Sequence, residues 1–162
     1  MPADHEAFTV SVILCPGGLR HRGQCSRPCC GGSGLDLYAR AADGEWRFIG
    51  NCRPEQQDGN QSTVEFPDGA KAKRECLLYL PAYNGTTSLE IGVPASSQVE
   101  KAAVRREGLR KPVIVYGTSI TQGGCASRPG MIWTSILGRM LDRPVINLGF
   151  SGSGDMAPPV GE

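Results

Sequence analysis

Ser119 is the residue whose type and surroundings best fit nucleophilic chemistry in this sequence. It follows an apolar run at 113–116 and Gly117, and it precedes the pair Gly123 and Gly124. An apolar run without polar alternation predicts a strand buried on both faces, and open α/β sheets bind ligands just past the carboxyl ends of such strands. Glycines let the backbone turn sharply and approach a substrate closely. The pattern therefore predicts a nucleophilic serine, whose hydroxyl needs a base within hydrogen-bond reach.

Two blocks of the sequence resemble those of the SGNH hydrolases, the GDSL-like lipases and esterases. The first block covers residues 117–124, and the second covers 147–152, one predicted helix and one predicted strand later. In that family the first-block serine is the nucleophile, and its N–H and that of the second-block glycine help to form the oxyanion hole. The resemblance therefore implies that Ser119 is the nucleophile and that Gly152 is an oxyanion donor. Thr118 stands where many members have Asp, so a role for that carboxylate is in doubt.

A β domain is predicted over residues 1–98. Residues 34–38 read GLDLY and match the GxDLY signature of a front domain found in one SGNH subgroup. Short apolar or alternating runs separated by Gly, Asn and Asp turns are typical of a β-sandwich, here jelly-roll-like. Residues 17–33 lack this pattern and are predicted to be a loop or disordered, and a reading-frame error would explain the departure. The predicted strands are 8–15, 35–40, 46–49, 63–66, 75–80 and 88–93.

Residues 112–162 are predicted to begin a second domain, after a polar and basic linker at 99–111. An apolar stripe at helical spacing over 132–141 predicts a helix, capped by Ser127 with Pro129 in its first turn. Pro144 ends this helix near Asp142, and 145–148 reads as a second buried strand. The stripe places Trp133 and Met140 in the core. The whole is one right-handed, parallel β-α-β unit, the first of an α/β doubly wound, flavodoxin-like SGNH domain.

The net charge and the hydropathy limit the classes of partner that are expected. A net charge of +1 and a pI near 7.6 give no electrostatic reason to expect nucleic acid or an acidic membrane surface. No apolar run is long enough to span a membrane, and no signal peptide is visible. The location therefore stays open between cytoplasmic and secreted with a lost N-terminus. The expected partner is a small-molecule or carbohydrate ester, without a cofactor, and the oligomeric state is open.

A cluster of cysteines could suggest a metal site. Four of the seven cysteines fall within 15–30, beside His21. Zinc prefers thiolate and imidazole ligands, but the adjacent Cys29 and Cys30 cannot easily fill two corners of one tetrahedron, and no second Cys-x2-Cys pair faces them. No metal site is predicted. Disulfides stay open, because they depend on the redox compartment.

The general base is the missing part of the predicted site. The family takes its histidine from an Asp-x-x-His block and a further oxyanion donor from a Gly-x-Asn-Asp block, and neither occurs in this sequence. His5 and His21 lie in or before the predicted β domain. The chain is therefore expected to be a truncated member of the family without esterase turnover of its own. Arg128 is a candidate for contact with a substrate oxygen, although a surface arginine near a helix start is the simpler interpretation.

Three hypotheses about function follow. The first is a serine ester hydrolase. The resemblance implies a carbohydrate deacetylase or a similar enzyme, because a front β domain in such enzymes is often an accessory to the site. The second is a β module that binds a glycan or a partner, with a vestigial hydrolase segment. Trp46, Tyr38 and Tyr83 could form a sugar platform, but core packing is the simpler role for most of them. The third is an inert fragment of a misassembled reading frame.

Overall fold

The structure, a computed structural model, describes residues 7–14 and 158–161 by their backbone and residues 34–54, 60–66 and 73–156 in full. The predicted irregular segment 17–33, the cysteine cluster and both histidines lie outside the described residues.

Two three-stranded antiparallel sheets account for the first part of the chain. The strands are β1 Ala7–Leu14, β2 Leu35–Arg40, β3 Trp46–Cys52, β4 Asn60–Glu65, β5 Cys76–Tyr79 and β6 Thr86–Gly92. The strand orders of the two sheets are β4-β1-β6 and β3-β2-β5. The six predicted strands are confirmed, but β3 and β4 are longer than predicted, and β3 continues through Gly50 and Asn51, beyond the apolar pattern.

Strand β2 is buried on both faces. Leu35 and Leu37 lie in a core shared by the two sheets, which also contains Val64 of β4. Removal of these apolar side chains from water stabilises the packing of the two sheets. Asp36 and Tyr38, which alternate with the leucines, are nonetheless buried as well, because a second set of elements covers their face. The full core cluster is Leu35, Leu37, Ala39, Cys52, Val64 and Phe66, with Ile49 and Leu78 packed against it.

The second part of the chain is a β-α-β unit. Strands β7 Val113–Gly117 and β8 Val145–Gly149 pair in parallel, in register from Val113 opposite Val145 to Gly117 opposite Gly149. The parallel pairing confirms the prediction, and the predicted linker contains a single helical turn. The helices are α1 Glu107–Arg110, α2 Ser119–Gln122, a 3-10 turn Pro129–Met131, α3 Trp133–Leu141 and α4 Pro158–Gly161.

The predicted helix cap at Ser127 is wrong. The 3-10 turn has Arg128 as its N-cap and starts at Pro129, whose fixed φ suits a first helical position. Ile132 is then extended, with ψ 135°, and this separates the turn from α3. The predicted helix end is confirmed, since Asp142 adopts a left-handed conformation with φ 47° directly after α3.

Two predictions about burial are also wrong. Met140 is 78% exposed and Trp133 is 43% exposed, because α3 packs on the sheet through other positions, including the buried Thr134. The described residues leave one face of β7 uncovered at Ile114, which lies opposite Ile146 in the pairing and is 63% exposed. Among the described elements, α3 packs against β8, where Thr134 accepts a hydrogen bond from Asn147. In the part of the chain that is described, no helix combines the length and apolar character needed to cross a bilayer.

Candidate active site

Ser119 lies where the sequence predicts it, as the first residue of α2 at the carboxyl end of β7. Its side chain is partly buried. Its carbonyl oxygen accepts hydrogen bonds from the N–H groups of Gly123 and Gly124 at 3.1 and 2.7 Å, and from the hydroxyl of Tyr83 at 3.4 Å. Gly123 has φ 108°, a left-handed conformation that favours glycine. The predicted sharp turn behind the serine is therefore confirmed at Gly123.

The loop that follows β8 lies against the serine loop. The N–H of Phe150 donates to the carbonyl of Gly117 at 2.8 Å, and the N–H of Ser151 donates to Oε1 of Gln122 at 2.9 Å. Gly152 is exposed, with φ 77° and open space around its α-carbon. The two blocks that lie about thirty residues apart in sequence are thus neighbours in space, as the parallel pairing predicts.

Asn147 joins three elements beneath the site. Its Nδ2 donates to the carbonyl of Thr121 in α2 at 2.8 Å and to the hydroxyl of Thr134 in α3 at 2.9 Å. Its Oδ1 accepts the N–H of Gly149 at the end of β8, at 2.9 Å. A partly buried carboxamide with every partner in place stabilises this junction. Sequence reasoning missed the role, although a polar residue inside the apolar run 145–148 was the available signal.

Glycine at 149 allows α2 to lie directly on the end of β8. A side-chain carbon at Gly149 would meet the backbone of Gln122 and would come within 2.7 Å of the carbonyl carbon of Thr121. Such distances are not tolerated between a methyl group and backbone atoms, which cannot give way as a flexible side chain can. The position of the serine helix therefore depends on this residue having no side chain.

The buried carboxylate of Asp36 reaches the second part of the chain. Asp36 is 0% exposed, and its Oδ2 accepts the N–H of Gly130 at 2.8 Å. Nη1 of Arg128 lies 3.7 Å from the same oxygen, and Oδ1 has no hydrogen-bond partner within the described part of the chain. Burial raises the pKa of this carboxyl group, whereas the hydrogen bond from Gly130 and the charges of Arg128 and Arg139 oppose the rise.

Two arginines of the second part lie on aromatic rings of the first. The guanidinium of Arg128 lies 4.1 Å from the ring centroid of Phe48, and that of Arg139 lies 4.1 Å from that of Tyr38. Arg139 also donates to the carbonyl of Gly130 at 2.7 Å. The contacts that the structure shows for Arg128 are therefore with β2 and β3, and its predicted contact with a substrate oxygen stays a prediction.

The aromatic side chains considered for a sugar platform have other surroundings. Tyr38 is buried beneath Arg139. The ring of Trp46 is stacked by the guanidinium of Arg40 at 4.4 Å, and the hydroxyl of Tyr83 points to the backbone of Ser119. Packing, the simpler interpretation, is confirmed for Tyr38, which leaves at most two of the three rings for a platform.

A cleft of about 520 Å³ lies behind the serine loop, between β5 and the β-α-β unit. It is lined by Tyr79, Ala82, Gln122 and Asn147 among others, and Ser119 is not among its lining residues. Ser119 therefore lies outside this cleft. Within the described ranges, no three His, Cys, Asp or Glu side chains are grouped closely enough to hold a metal ion.

Comparisons with known proteins agree on one family. The model of the GDSL-like lipase/acylhydrolase family matches residues 110–162, and the model of the GxDLY N-terminus of SGNH-hydrolase-type esterases matches residues 18–99, about half of the chain. A crystal structure from Bacteroides ovatus, described as a GDSL-like lipase, is 34% identical, with a TM-score of 0.72 over 98% of this chain. The chain spans 43% of the length of that structure. No curated protein matches this chain. The chain belongs to the SGNH-hydrolase-type esterases, with a GxDLY N-terminal region followed by a GDSL-like region.

Proposed function

We propose that this chain carries the nucleophile and two oxyanion donors of an SGNH-type serine ester hydrolase. The hydroxyl of Ser119 would attack the ester carbonyl, and the N–H groups of Ser119 and Gly152 would bind the negative oxygen that forms. The observation that carries the proposal is the hydrogen bond from Phe150 to Gly117, because it joins the serine loop to the loop that contains Gly152. Hydrogen-bond donors that are fixed before the reaction stabilise the transition state more than donors that must reorganise. The loss of one such donor typically lowers the rate about 100- to 1000-fold.

The acyl transfer also needs a base. As Oγ of Ser119 bonds to the acyl carbon, its proton must leave, and the alcohol must depart before water releases the acid. The sequence has no Asp-x-x-His block, and the described residues near the serine offer no imidazole. We therefore propose that these 162 residues alone do not turn over an ester.

The proposed framework is a jelly-roll-like sandwich over 1–98, a linker at 99–111 and the first unit of a flavodoxin-like domain over 112–162. The shared core of the two antiparallel sheets supports the sandwich. The parallel pair β7–β8 supports the doubly wound domain, in which helices cover both sheet faces. The exposed Ile114 and Ile146 fit such a covering layer.

The proposed substrate is an ester of a small molecule or a carbohydrate. The open space beside Gly152 would admit an acyl group without a preformed tunnel. The near-zero net charge gives no support to a nucleic acid or an acidic membrane as partner.

Fluorophosphonate labelling tests the nucleophile separately from the base. Exogenous imidazole can supply a base, and mass spectrometry then maps the modified residue. We expect imidazole-dependent labelling at Ser119, no labelling at that site in Ser119→Ala, and unchanged labelling in the control Ser127→Ala, an exposed serine of the same loop. Equal labelling of several serines, or none at Ser119 with imidazole, would overturn the proposal.

Hydrolysis of p-nitrophenyl acetate tests the proposed lack of turnover. Without imidazole, the chain and its Ser119→Ala variant should hydrolyse the ester at the same rate. Turnover that depends on Ser119 would show that a base is present within these residues.

A further inference from the structure

The side chain of Gln122 joins the loop after β5 to the loop after β8. Its Nε2 donates to the carbonyl of Ala82, in the loop after β5, at 3.0 Å. Its Oε1 accepts the N–H of Ser151, in the loop after β8, at 2.9 Å. A carbonyl can only accept and a backbone N–H can only donate, so the two partners fix the orientation of the carboxamide.

The backbone of Gln122 gives this bridge a fixed base. Its N–H donates to the carbonyl of Thr118 at 3.0 Å, inside the turn that starts at the serine. Its backbone lies on Gly149, where even a methyl group would not fit. The side chain therefore extends from a support that cannot shift without moving α2 as a whole.

Both segments held by Gln122 also contact the serine loop directly. Tyr83, next to Ala82, donates its hydroxyl to the carbonyl of Ser119. Phe150, next to Ser151, donates its N–H to the carbonyl of Gly117. Gln122 thus stands at the junction of the front β part, the serine helix and the second-block loop.

We propose that Gln122 is a positioning residue that holds the Ser151–Gly152 segment so that the N–H of Gly152 is aimed at the oxyanion. The inference rests on the proposed function of Ser119 and Gly152. Glycine with φ 77° has wide conformational freedom, so the direction of its N–H depends on how the preceding residue is held. The hydrogen bond from Ser151 to Gln122 supplies that restraint. Gln122 itself acts through the loop and is not assigned to contact the substrate.

The expected effect is on the chemical step and not on binding. The oxyanion exists only as the new bond forms, so a misdirected donor slows bond formation while the probe still binds. Loss of one such restraint, comparable to one hydrogen bond, is expected to reduce the rate by about tenfold.

Two variants separate the two ends of the bridge. Gln122→Met keeps the length of the side chain and removes both hydrogen bonds. Gln122→Glu keeps an acceptor for Ser151 and, when ionised, cannot donate to Ala82. Gln98→Met is the matched control, because Gln98 is an exposed glutamine in the connection before α1.

The experiment measures the maximal inactivation rate and the half-saturating concentration for a fluorophosphonate at Ser119, with imidazole present. Gln122→Met should lower the maximal rate about tenfold and leave the half-saturating concentration unchanged, whereas partial unfolding would lower only the labelled fraction. Gln98→Met should match the unsubstituted chain. A maximal rate within about twofold of the unsubstituted chain in Gln122→Met would overturn the inference.

Amide hydrogen exchange at Ser151 tests the bridge independently of reactivity. Exchange should be faster in Gln122→Met and protected in Gln122→Glu, and equal exchange in both variants and the unsubstituted chain overturns the bridge. Should Gln122→Met not fold, the unsubstituted chain decides, because exchange at Ser151 as fast as in an unstructured peptide would overturn the inference. If the unsubstituted chain shows no labelling at Ser119, the proposed function fails, and the exchange result still decides whether Gln122 holds the loop.

Discussion

The carboxylate of Asp36 accepts the N–H of Gly130 at 2.8 Å, across 94 residues of sequence. Asp36 belongs to the GxDLY motif, and Gly130 lies in the 3-10 turn between the serine loop and α3. The leucines of the motif face the core between the two antiparallel sheets, whereas Asp36 and Tyr38 face the β-α-β unit. The motif therefore serves both as core strand and as the surface on which the second part of the chain docks.

The stability of the chain should depend on pH through Asp36. Its folded-state pKa is raised above the ordinary 3.8, chiefly by burial, so the folded state holds the proton more tightly than the unfolded state does. The contribution of Asp36 to the free energy of unfolding is thus most favourable below pH 3.8 and declines as pH rises through the folded-state pKa. Asp36→Asn does not titrate there and removes this dependence.

Urea unfolding of both proteins between about pH 3 and pH 8 measures this effect, because the other titrating groups cancel in the difference. The stability of the unsubstituted chain relative to Asp36→Asn should fall with rising pH. A difference that is constant, or that grows with pH, would contradict the assignment.

A methyl group at Gly130 should separate the two parts of the chain. A side-chain carbon there would overlap Cε2 in the ring of Tyr38 and would lie 2.8 Å from Oδ2 of Asp36, and both residues are buried. Overpacking of this kind costs about 1–3 kcal/mol, so Gly130→Ala should lower the free energy of unfolding by that amount. Gly108→Ala is the control, since its methyl group meets nothing within 4 Å. Equal stability of the two variants in urea would contradict the close packing of Gly130 against Asp36 and Tyr38.

Arg128 and Phe48 should stabilise the contact between the two parts as a pair. The ring of Phe48 is 42% exposed, and the guanidinium 4.1 Å away lies over it. A cation–π contact at such a site is worth about 0.5–1 kcal/mol. A double-mutant cycle with Arg128→Met and Phe48→Leu, followed by urea unfolding, should give a coupling energy of about that size. Additive effects of the two substitutions would show that the stacking contributes nothing.

Local patterns predicted both the strands and the serine loop, because each depends on residues that are close in sequence. Val113–Gly117 and Val145–Gly149 are recognisable as apolar runs, and parallel pairing then places their carboxyl ends together. The pattern also predicted that Met140 lies in the core, but this residue is exposed. Helical spacing shows which residues share a face, and it does not show what covers that face.

Contacts between distant segments had no local signal. Asp36 reads as the solvent side of an alternating strand, and only the docking of Gly130 explains its burial. Gln122 reads as an ordinary polar residue between the serine and the glycines, because its partners at Ala82 and Ser151 lie about forty and thirty residues away. Long-range hydrogen bonds depend on the relative placement of whole elements, which periodicity does not contain.

Asn147→Asp should destabilise the serine helix and its surroundings. Nδ2 of Asn147 donates to the carbonyl of Thr121 and the hydroxyl of Thr134, and a carboxylate would replace that donor with an acceptor facing the carbonyl. Thr134 is buried, so water does not easily compensate for the loss. Leaving such groups unpaired costs about 1–3 kcal/mol, and the free energy of unfolding should fall by that amount.

Asn51→Asp makes the same change at an exposed position of β3 and should alter stability by less than about 0.5 kcal/mol. Protonation of the new carboxyl group restores a donor, so the stability lost in Asn147→Asp should be partly recovered as pH falls toward about 4, the ordinary pKa range of aspartate. Urea unfolding at two pH values checks both effects. A loss at position 147 no larger than that at position 51 would mean that the carboxamide does not join α2, α3 and β8, and the support described for Ser119 would then have to come from Gln122 and Gly149.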